Sequence, residues 1–332
     1  MTSHAAVQAR GGYVSVLPDL CCNNDCIFCY ESYHEKNPRG HATPAEIVEK
    51  TLKLVNETGW DRVVISGGEP TLYSGLREVV RQLKDHGLFV TLFTNGRVLH
   101  EKAKTEQLVV AGVDAFHIPV HSDSERIHDA ITRSEGSFRE TITGISNLKE
   151  ARSYASFTLS FVHVLNRLNY LGLSQFARFI SEFRPDYILL SYCVVNLDSP
   201  KDHLKILASY HEAACAIDDA YEIFEDKGQR VFVENIPPCV LRGKEALCMD
   251  FFKFNFLDIR GFKAVSTADG KTFVPLKQSI KSDQRAYAPA CESCCIKQYC
   301  GGLHRASLEF QGSKHIVPYT AEEIRARLAA SS

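Results

Sequence analysis

Short apolar runs alternate with segments of helical periodicity over the first two-thirds of the 332-residue chain, and this alternation constrains the fold more than any other feature. Runs rich in Val, Ile, Leu, Phe or Tyr predict strands over 13–17, 62–66, 89–94, 115–120, 157–164 and 187–192. Between them, periodicity predicts helices over 44–57 and 74–86, closed by Gly59 and Gly87, and then over 101–111, 137–152, 171–183 and 201–224. Strands alternating with helices imply parallel pairing through right-handed crossovers. Near-continuous apolar strands fit a sheet covered on both faces, with ligands at the C-terminal strand ends.

The last third has a different texture. Residues 229–234 read as a strand, and 262–267 and 271–275 flank Ala268-Asp269-Gly270, a hairpin signal. A cysteine-rich segment follows, then a helix from Ala321. So small an appended unit has little core of its own, and a bound metal cluster would supply the missing stability. The domain division expected is 12–200 for the α/β core, 201–228 for a linking helix, 229–320 for the appended unit, and 321–332 for a terminal helix or tail.

Composition excludes several classes. A net charge of −2 without long basic runs argues against nucleic-acid or membrane partners, and no segment approaches the roughly 20 apolar residues of a bilayer span. The first twenty residues lack a basic start followed by an apolar core, so a cytoplasmic protein is expected. In that reducing setting, 12 cysteines point to metal or redox chemistry rather than disulfides.

Three of them, Cys22, Cys26 and Cys29, have C-x3-C-x2-C spacing directly after the first predicted strand. Three thiolates on one loop can hold three irons of a cubane and leave the fourth open for a small chelating molecule. Structural zinc normally takes four ligands. No fourth is obvious here, although His34 is one option, and Cys21 falls outside the spacing. The loop, with Phe28 before its last cysteine, resembles that of the radical S-adenosylmethionine (SAM) superfamily. So does Ser66-Gly67-Gly68-Glu69-Pro70 at the end of the second strand, and Thr94-Asn95-Gly96 at the end of the third. Glu125-Arg126-Ile127-His128-Asp129 with Gly136-Ser137-Phe138, and Asn166 after the fifth strand, continue the likeness.

The resemblance covers about residues 13–195 and implies a partial (β/α)6 barrel of TIM type. It implies a 4Fe–4S cluster on Cys22, Cys26 and Cys29, with SAM contacted by Phe28, Gly67, Gly68, Glu69, Thr94, Asn95, Ser122 and Asn166; Glu69 would accept from the SAM ammonium and Ser122 would meet the ribose. Reductive cleavage of SAM to a 5′-deoxyadenosyl radical, fed by a donor such as flavodoxin or ferredoxin, would follow.

The C-terminal Cys291-x2-Cys294-x5-Cys300 resembles the SPASM and twitch auxiliary-cluster domains of the same superfamily. His304 stands where a longer SPASM pattern has a further cysteine, which implies a single auxiliary 4Fe–4S cluster of the twitch type. Cys239, Cys291, Cys294 and Cys300 are the preferred ligands, with Cys248 and Cys295 competing, and a zinc ribbon is the alternative. Cys215 is expected in the core, and Cys193 is a candidate for facing the active site. His117, His163, Tyr192 and Asn196 are candidates to touch substrate.

Two functions of different kinds compete. One is a small-molecule enzyme acting on a sugar, nucleoside, nucleotide or related metabolite in natural-product or cofactor biosynthesis. The other is a peptide or protein maturase. With 21 residues ahead of Cys22, the N-terminal recognition domain common in peptide-modifying members is not expected, which favours the small molecule. A non-enzymatic iron–sulfur or zinc protein would leave the strand-end motifs unexplained.

Overall fold

Seven parallel strands alternate with helices, the first six of them where the apolar runs predict. The structure, a computed structural model, describes residues 12–29, 42–195, 201–250, 263–266 and 284–330. Strands β1 (Val14–Leu17), β2 (Arg62–Ile65), β3 (Phe89–Phe93), β4 (Ala115–Pro119), β5 (Thr158–Leu165), β6 (Tyr187–Tyr192) and β7 (Val231–Glu234) lie side by side in chain order. β8 (Lys263–Ser266) adds to the outer edge of β1, also parallel. Among the described residues no pairing joins β7 to β8, so the curved sheet is a barrel left open there.

Helices α1 (Pro44–Thr58), α2 (Leu76–Asp85), α3 (Lys102–Ala111), α5 (Ser137–Ala151), α6 (Leu173–Ser181) and α7 (Tyr210–Asp226) make the crossovers, and α4 (Glu125–Thr132) is a short helix ahead of α5. Their ends are written in local chemistry. Thr43 and Glu46 form a capping box ahead of α1, Pro44 sits in its first turn, and Gly59 closes it at φ 70°. Ser209 and Glu212 form the same box ahead of α7. That box accounts for a correction: the continuous helix expected over 201–224 is a 3-10 turn at Lys201–Ile206 and a separate α7.

The helical layer buries one face of each strand: Val14 and Val16, Val63 and Ile65, Val90 and Leu92, Phe116 and Ile118, Phe161, Ile188 and Leu190, and Val231 and Val233. The opposite face is mixed, which departs from the sheet expected to be apolar on both sides. Adjacent strands place Phe93, His117, Ser160 and Tyr187 in one register row of that inner face, and Val164, Ser191 and Glu234 in a row nearer the C-terminal ends. A covered sheet and a barrel wall share the outer apolar stripe; only curvature separates an inner face that lines a lumen.

β7, placed by sequence in the appended unit, pairs with β6, so 201–228 forms a β6–α7–β7 crossover within the sheet. The C-terminal part holds an antiparallel pair, β9 (Arg285–Ala286) with β10 (Leu303–His304), then helices Arg305–Gln311 and Ala321–Ala330. The hairpin expected around 268–270, its second strand at 271–275, His34 and Asn196 lie outside the described residues. No helix among the described residues is long and apolar enough to cross a membrane.

Candidate functional site

The cysteine loop leaves β1 and lies across the C-terminal ends of the neighbouring strands. Its seat is the Gly67-Gly68-Glu69 turn after β2. Gly68 N donates to Asp19 O at 3.0 Å and Glu69 N to Cys21 O at 2.7 Å. A Cβ on Gly68 would lie 2.2 Å from Cys21 O and 2.4 Å from Leu20 O, and one on Gly67, at φ 126°, would lie 2.4 Å from Asp19 O. Only glycine admits this approach of two backbones.

Glu69 is buried beneath the loop, and its carboxylate ties three motifs together. Oε1 accepts from Thr71 N at 3.0 Å, Thr71 Oγ1 at 2.5 Å and Thr94 Oγ1 at 2.6 Å, and Oε2 accepts from Asn95 N at 2.6 Å. Burial raises its pKa, and these four donors oppose the rise.

The turn after β3 clamps the loop from the other side. Asn95 Nδ2 donates to Asn23 Oδ1 at 2.7 Å and reaches Cys22 Sγ at 3.9 Å. Arg97 Nη1 donates to Asn23 O and, at 2.9 Å, to Asn24 Oδ1, while its Nε pairs with Glu140 at 2.5 Å. The end of α4 completes the hold through Asp25 N to Thr132 O and Ile27 N to Ile131 O, each 2.9 Å. Sequence reasoning missed Arg97, Asn23 and Asn24; the signal was a cation directly after Thr94-Asn95-Gly96 and two amides between cysteines. It also left Asp129 without a role. Asp129 accepts from Gly136 N, Ser137 Oγ and Phe138 N at 2.7–2.8 Å and so caps α5.

The three thiols are mutual neighbours. Burial first, then the charges of Cys29 and Cys22, push the Cys26 thiol up to about 12. Three soft donors on one loop, each better satisfied by a metal than by the others, fit an iron–sulfur cluster. Phe28 packs edge-on against His121, with centroids 5.1 Å apart, and joins a small apolar cluster with Cys193, Val195 and Leu207. Cys193 thus lies buried at the mouth of the barrel beside the cysteine loop.

The other nominated residues divide. Ser122 Oγ accepts from Ser124 N at 3.0 Å, at the start of α4. Asn166 is buried and uses its amide within its own turn, donating to Val164 O and accepting from Leu168 N. His117 faces the inner side: its ring stacks on Phe93 at 4.4 Å and hydrogen-bonds Ser160 Oγ at 2.8 Å and Tyr187 OH at 3.2 Å, and burial lowers its pKa to about 4. His163 and Tyr192 do not face it. His163 packs on Phe176 with Nδ1 on Val120 O, and Tyr192 stacks on Tyr210 and donates to Ala208 O, both on the helical side. Strand alternation decides this, because odd and even positions of β5 and β6 point to opposite faces. Cys215, expected in the core, is exposed on α7 beside His211.

A second set gathers in the C-terminal part. Cys239, Cys291, Cys294 and Cys300 line one small cavity, walled by Pro237, Pro238 and Tyr319. Burial, then Cys300, Cys291 and Cys294, push the Cys239 thiol up to about 12, so the four thiols share one electrostatic neighbourhood. The competing cysteines do not line the cavity: Cys248 is buried with its thiol on Ile236 O, and Cys295 is exposed. His304 also points elsewhere, with Nε2 at 3.2 Å from Asn235 Oδ1. Among the described residues, no group of three or more His, Cys, Asp or Glu side chains is drawn in around a single metal ion.

Residues 20–180 match the family model of the radical SAM superfamily. A probable GTP 3′,8-cyclase of Thermococcus kodakarensis is 28% identical over 156 residues, 47% of this chain and 50% of that protein. An AdoMet-dependent heme synthase of Methanosarcina barkeri is 31% identical over 130 residues, 39% of this chain and 37% of that one. The chain spans about half the length of such curated relatives. Among solved structures, Streptococcus suis SuiB bound to S-adenosylmethionine superposes with a TM-score of 0.66 at 14% identity, over 92% of this chain and 76% of its own. Native anSMEcpe with bound AdoMet gives 0.63 at 16% identity, over 96% and 98%. At those identities the likeness is one of fold.

Proposed function

Residues 20–180 make this chain a member of the radical SAM superfamily and hence an enzyme, and from that premise we propose that it acts on a small molecule: a sugar, nucleoside, nucleotide or related metabolite. The cluster and SAM, when bound, would supply reductive radical chemistry able to activate a C–H bond of the substrate. The observation that carries the radical SAM part of this reading is the cysteine loop seated on Gly67-Gly68-Glu69 and clamped by Asn95 and Arg97.

The chain's own residues have separable tasks in this proposal. Cys22, Cys26 and Cys29 hold the cluster. Gly67 and Gly68 let the loop approach, and Glu69, Thr94 and Asn95 form one hydrogen-bonded unit that presents a carboxylate and an amide to SAM. Phe28, packed with Cys193, Val195 and Leu207, covers the mouth and keeps water from the reacting carbon. Below it, Phe93, His117, Ser160 and Tyr187 form a floor kept neutral by burial and held by its own hydrogen bonds. Substrate orientation on such a floor decides which hydrogen is nearest.

Cys239, Cys291, Cys294 and Cys300, all beyond β7, would hold one auxiliary 4Fe–4S cluster; their shared cavity and a donor set of thiolates alone support this. The peptide-maturase alternative draws support from likeness, over 93% and 96% of this chain, to SuiB bound to its precursor peptide SuiA and anSMEcpe bound to a peptide, at TM-scores of 0.65 and 0.62. An external electron donor such as flavodoxin or ferredoxin is part of the proposal.

The test is anaerobic iron and sulfide content with reductive SAM cleavage, on wild type and on a Cys22/Cys26/Cys29→Ala variant. The proposal expects about eight irons falling to about four, from the cubane stoichiometry of two cysteine sets, and 5′-deoxyadenosine from wild type alone. Four falling to none would remove the auxiliary cluster from the reading. Intact SAM with a full cluster would remove the radical chemistry.

A further inference from the structure

β7 ends at Glu234, and Asn235 turns the chain with φ 67°, a conformation that a non-glycine residue holds only when its surroundings fix it. A buried hydrogen-bond knot does the fixing. Asn235 N donates to Asp250 Oδ2 at 3.0 Å, and its side-chain amide donates to Ser191 Oγ at 3.2 Å and Tyr192 O at 3.4 Å. Arg285 Nη2 donates to Asn235 Oδ1 at 3.3 Å and to Asp250 Oδ2 at 3.0 Å. Its Nη1 donates to Gly302 O at 3.2 Å, and Gly302 N donates to Cys300 Sγ at 3.3 Å. The side chains of Arg285 and Asp250 are each only 7% exposed. One continuous path therefore runs from Ser191, on the inner face of β6, through Asn235 and Arg285 to a cysteine of the C-terminal cavity.

We propose that Arg285 is the positioning residue that seats the Cys300 arm of the auxiliary cluster on the end of β7 and, as a buried cation beside that arm, raises the cluster's reduction potential. The inference rests on the reading that Cys239, Cys291, Cys294 and Cys300 hold a cluster. A planar guanidinium with five donors can reach Gly302, Asn235 and Asp250 at once, which fixes the arm in position and orientation; an ammonium cannot. Reduction adds one negative charge to a cluster already negative with four thiolates, so a nearby buried cation and an N–H···S bond both favour the reduced form. Asp250 opposes that effect from the other side of the guanidinium, so removing either charge moves the potential in opposite directions.

The experiment uses the full chain carrying Cys22/Cys26/Cys29→Ala, which isolates the C-terminal cluster, and adds Arg285→Met, Arg285→Lys or Asp250→Asn. Iron and sulfide content, the electron paramagnetic resonance spectrum of the reduced cluster and its midpoint potential are measured. Arg285→Met should shift the midpoint to lower potential and Asp250→Asn to higher. Arg285→Lys should stay near the parent potential but with an altered spectrum, because the charge remains while the seating is lost. Equal midpoints in all four proteins, with iron retained, would overturn the inference. If Arg285→Met does not hold iron, the upward shift in Asp250→Asn decides, and a downward or absent shift there overturns it. A parent protein without C-terminal iron would instead refute the auxiliary-cluster reading itself.

Discussion

Gly68 sits where two backbones nearly touch, and the consequence of any side chain there can be stated in distances. A Cβ 2.2 Å from Cys21 O cannot be accommodated by rotating a side chain, so Gly68→Ala must displace the cysteine loop or the Glu69 turn. Overpacking of this kind costs about 1–3 kcal/mol. The expected outcome is a lower melting temperature and a loss of iron confined to the N-terminal site; unchanged iron and SAM cleavage would show that the loop has another seat. A second residue-scale prediction concerns His121, His128 and His163, all three buried. Burial lowers the pKa of His128 to about 4 and of His163 to about 3. The folded chain then binds fewer protons than the unfolded chain from about pH 6.5 downward, and stability is lost as pH falls through that window. The loss is roughly 1 kcal/mol per histidine between pH 7.5 and 5.5. His163→Phe should flatten the slope of stability against pH by one histidine's share; an unchanged slope in a denaturant titration series would mean that His163 titrates freely in the folded protein.

At the scale of elements, the cysteine loop is held by its neighbours more than by its own sequence. The turn after β3 contributes Asn95 and Arg97, and α4 contributes two backbone carbonyls. Arg97→Lys keeps the charge but not the fork that serves Asn23, Asn24 and Glu140 together, a loss of about 1–3 kcal/mol. Iron per chain after reconstitution should fall toward that of the Cys22/Cys26/Cys29→Ala variant, whereas full occupancy would assign the clamp no role in cluster retention. Helix α7 offers a control away from the site. Ser209→Ala deletes its capping box and should cost about 1 kcal/mol in urea unfolding without changing iron content. A change in iron would mean that α7 positions the site after all.

At the scale of the molecule, the C-terminal cysteines are rooted in the sheet through β7 and the Asn235 knot, yet their cavity walls come from short turns and a two-residue strand pair. On the proposal that these cysteines hold a cluster, removing it should release 285–330 while the parallel strands stay protected. Hydrogen exchange before and after anaerobic chelation checks this, with faster exchange expected in 285–330 and little change in β2 to β6. Uniform loss of protection would mean that the cluster holds the whole fold together. The local stability of an element follows its buried contacts, and here the strands have many and the cysteine turns few.

The sequence by itself determined the parallel α/β order, because each strand is a short apolar run and the segments between carry helical periodicity, with Gly59 and Gly87 closing the first two. It also picked out the two clusters of cysteines, because residue type and spacing along the chain are visible without the fold. Facing was not legible. Whether His117 or His163 looks into the barrel depends on strand register and curvature, and the sequence alternation is the same for either. Nor was the end of the core legible at 200, since β7 and β8 are four-residue strands whose place is decided by the edges of β6 and β1. Arg97, Asn235 and Arg285 escaped notice for a related reason. Each works through backbone and side-chain partners distant in sequence, Asn23 for Arg97 and Gly302 and Asp250 for Arg285, and only the packed molecule brings such partners within hydrogen-bond reach.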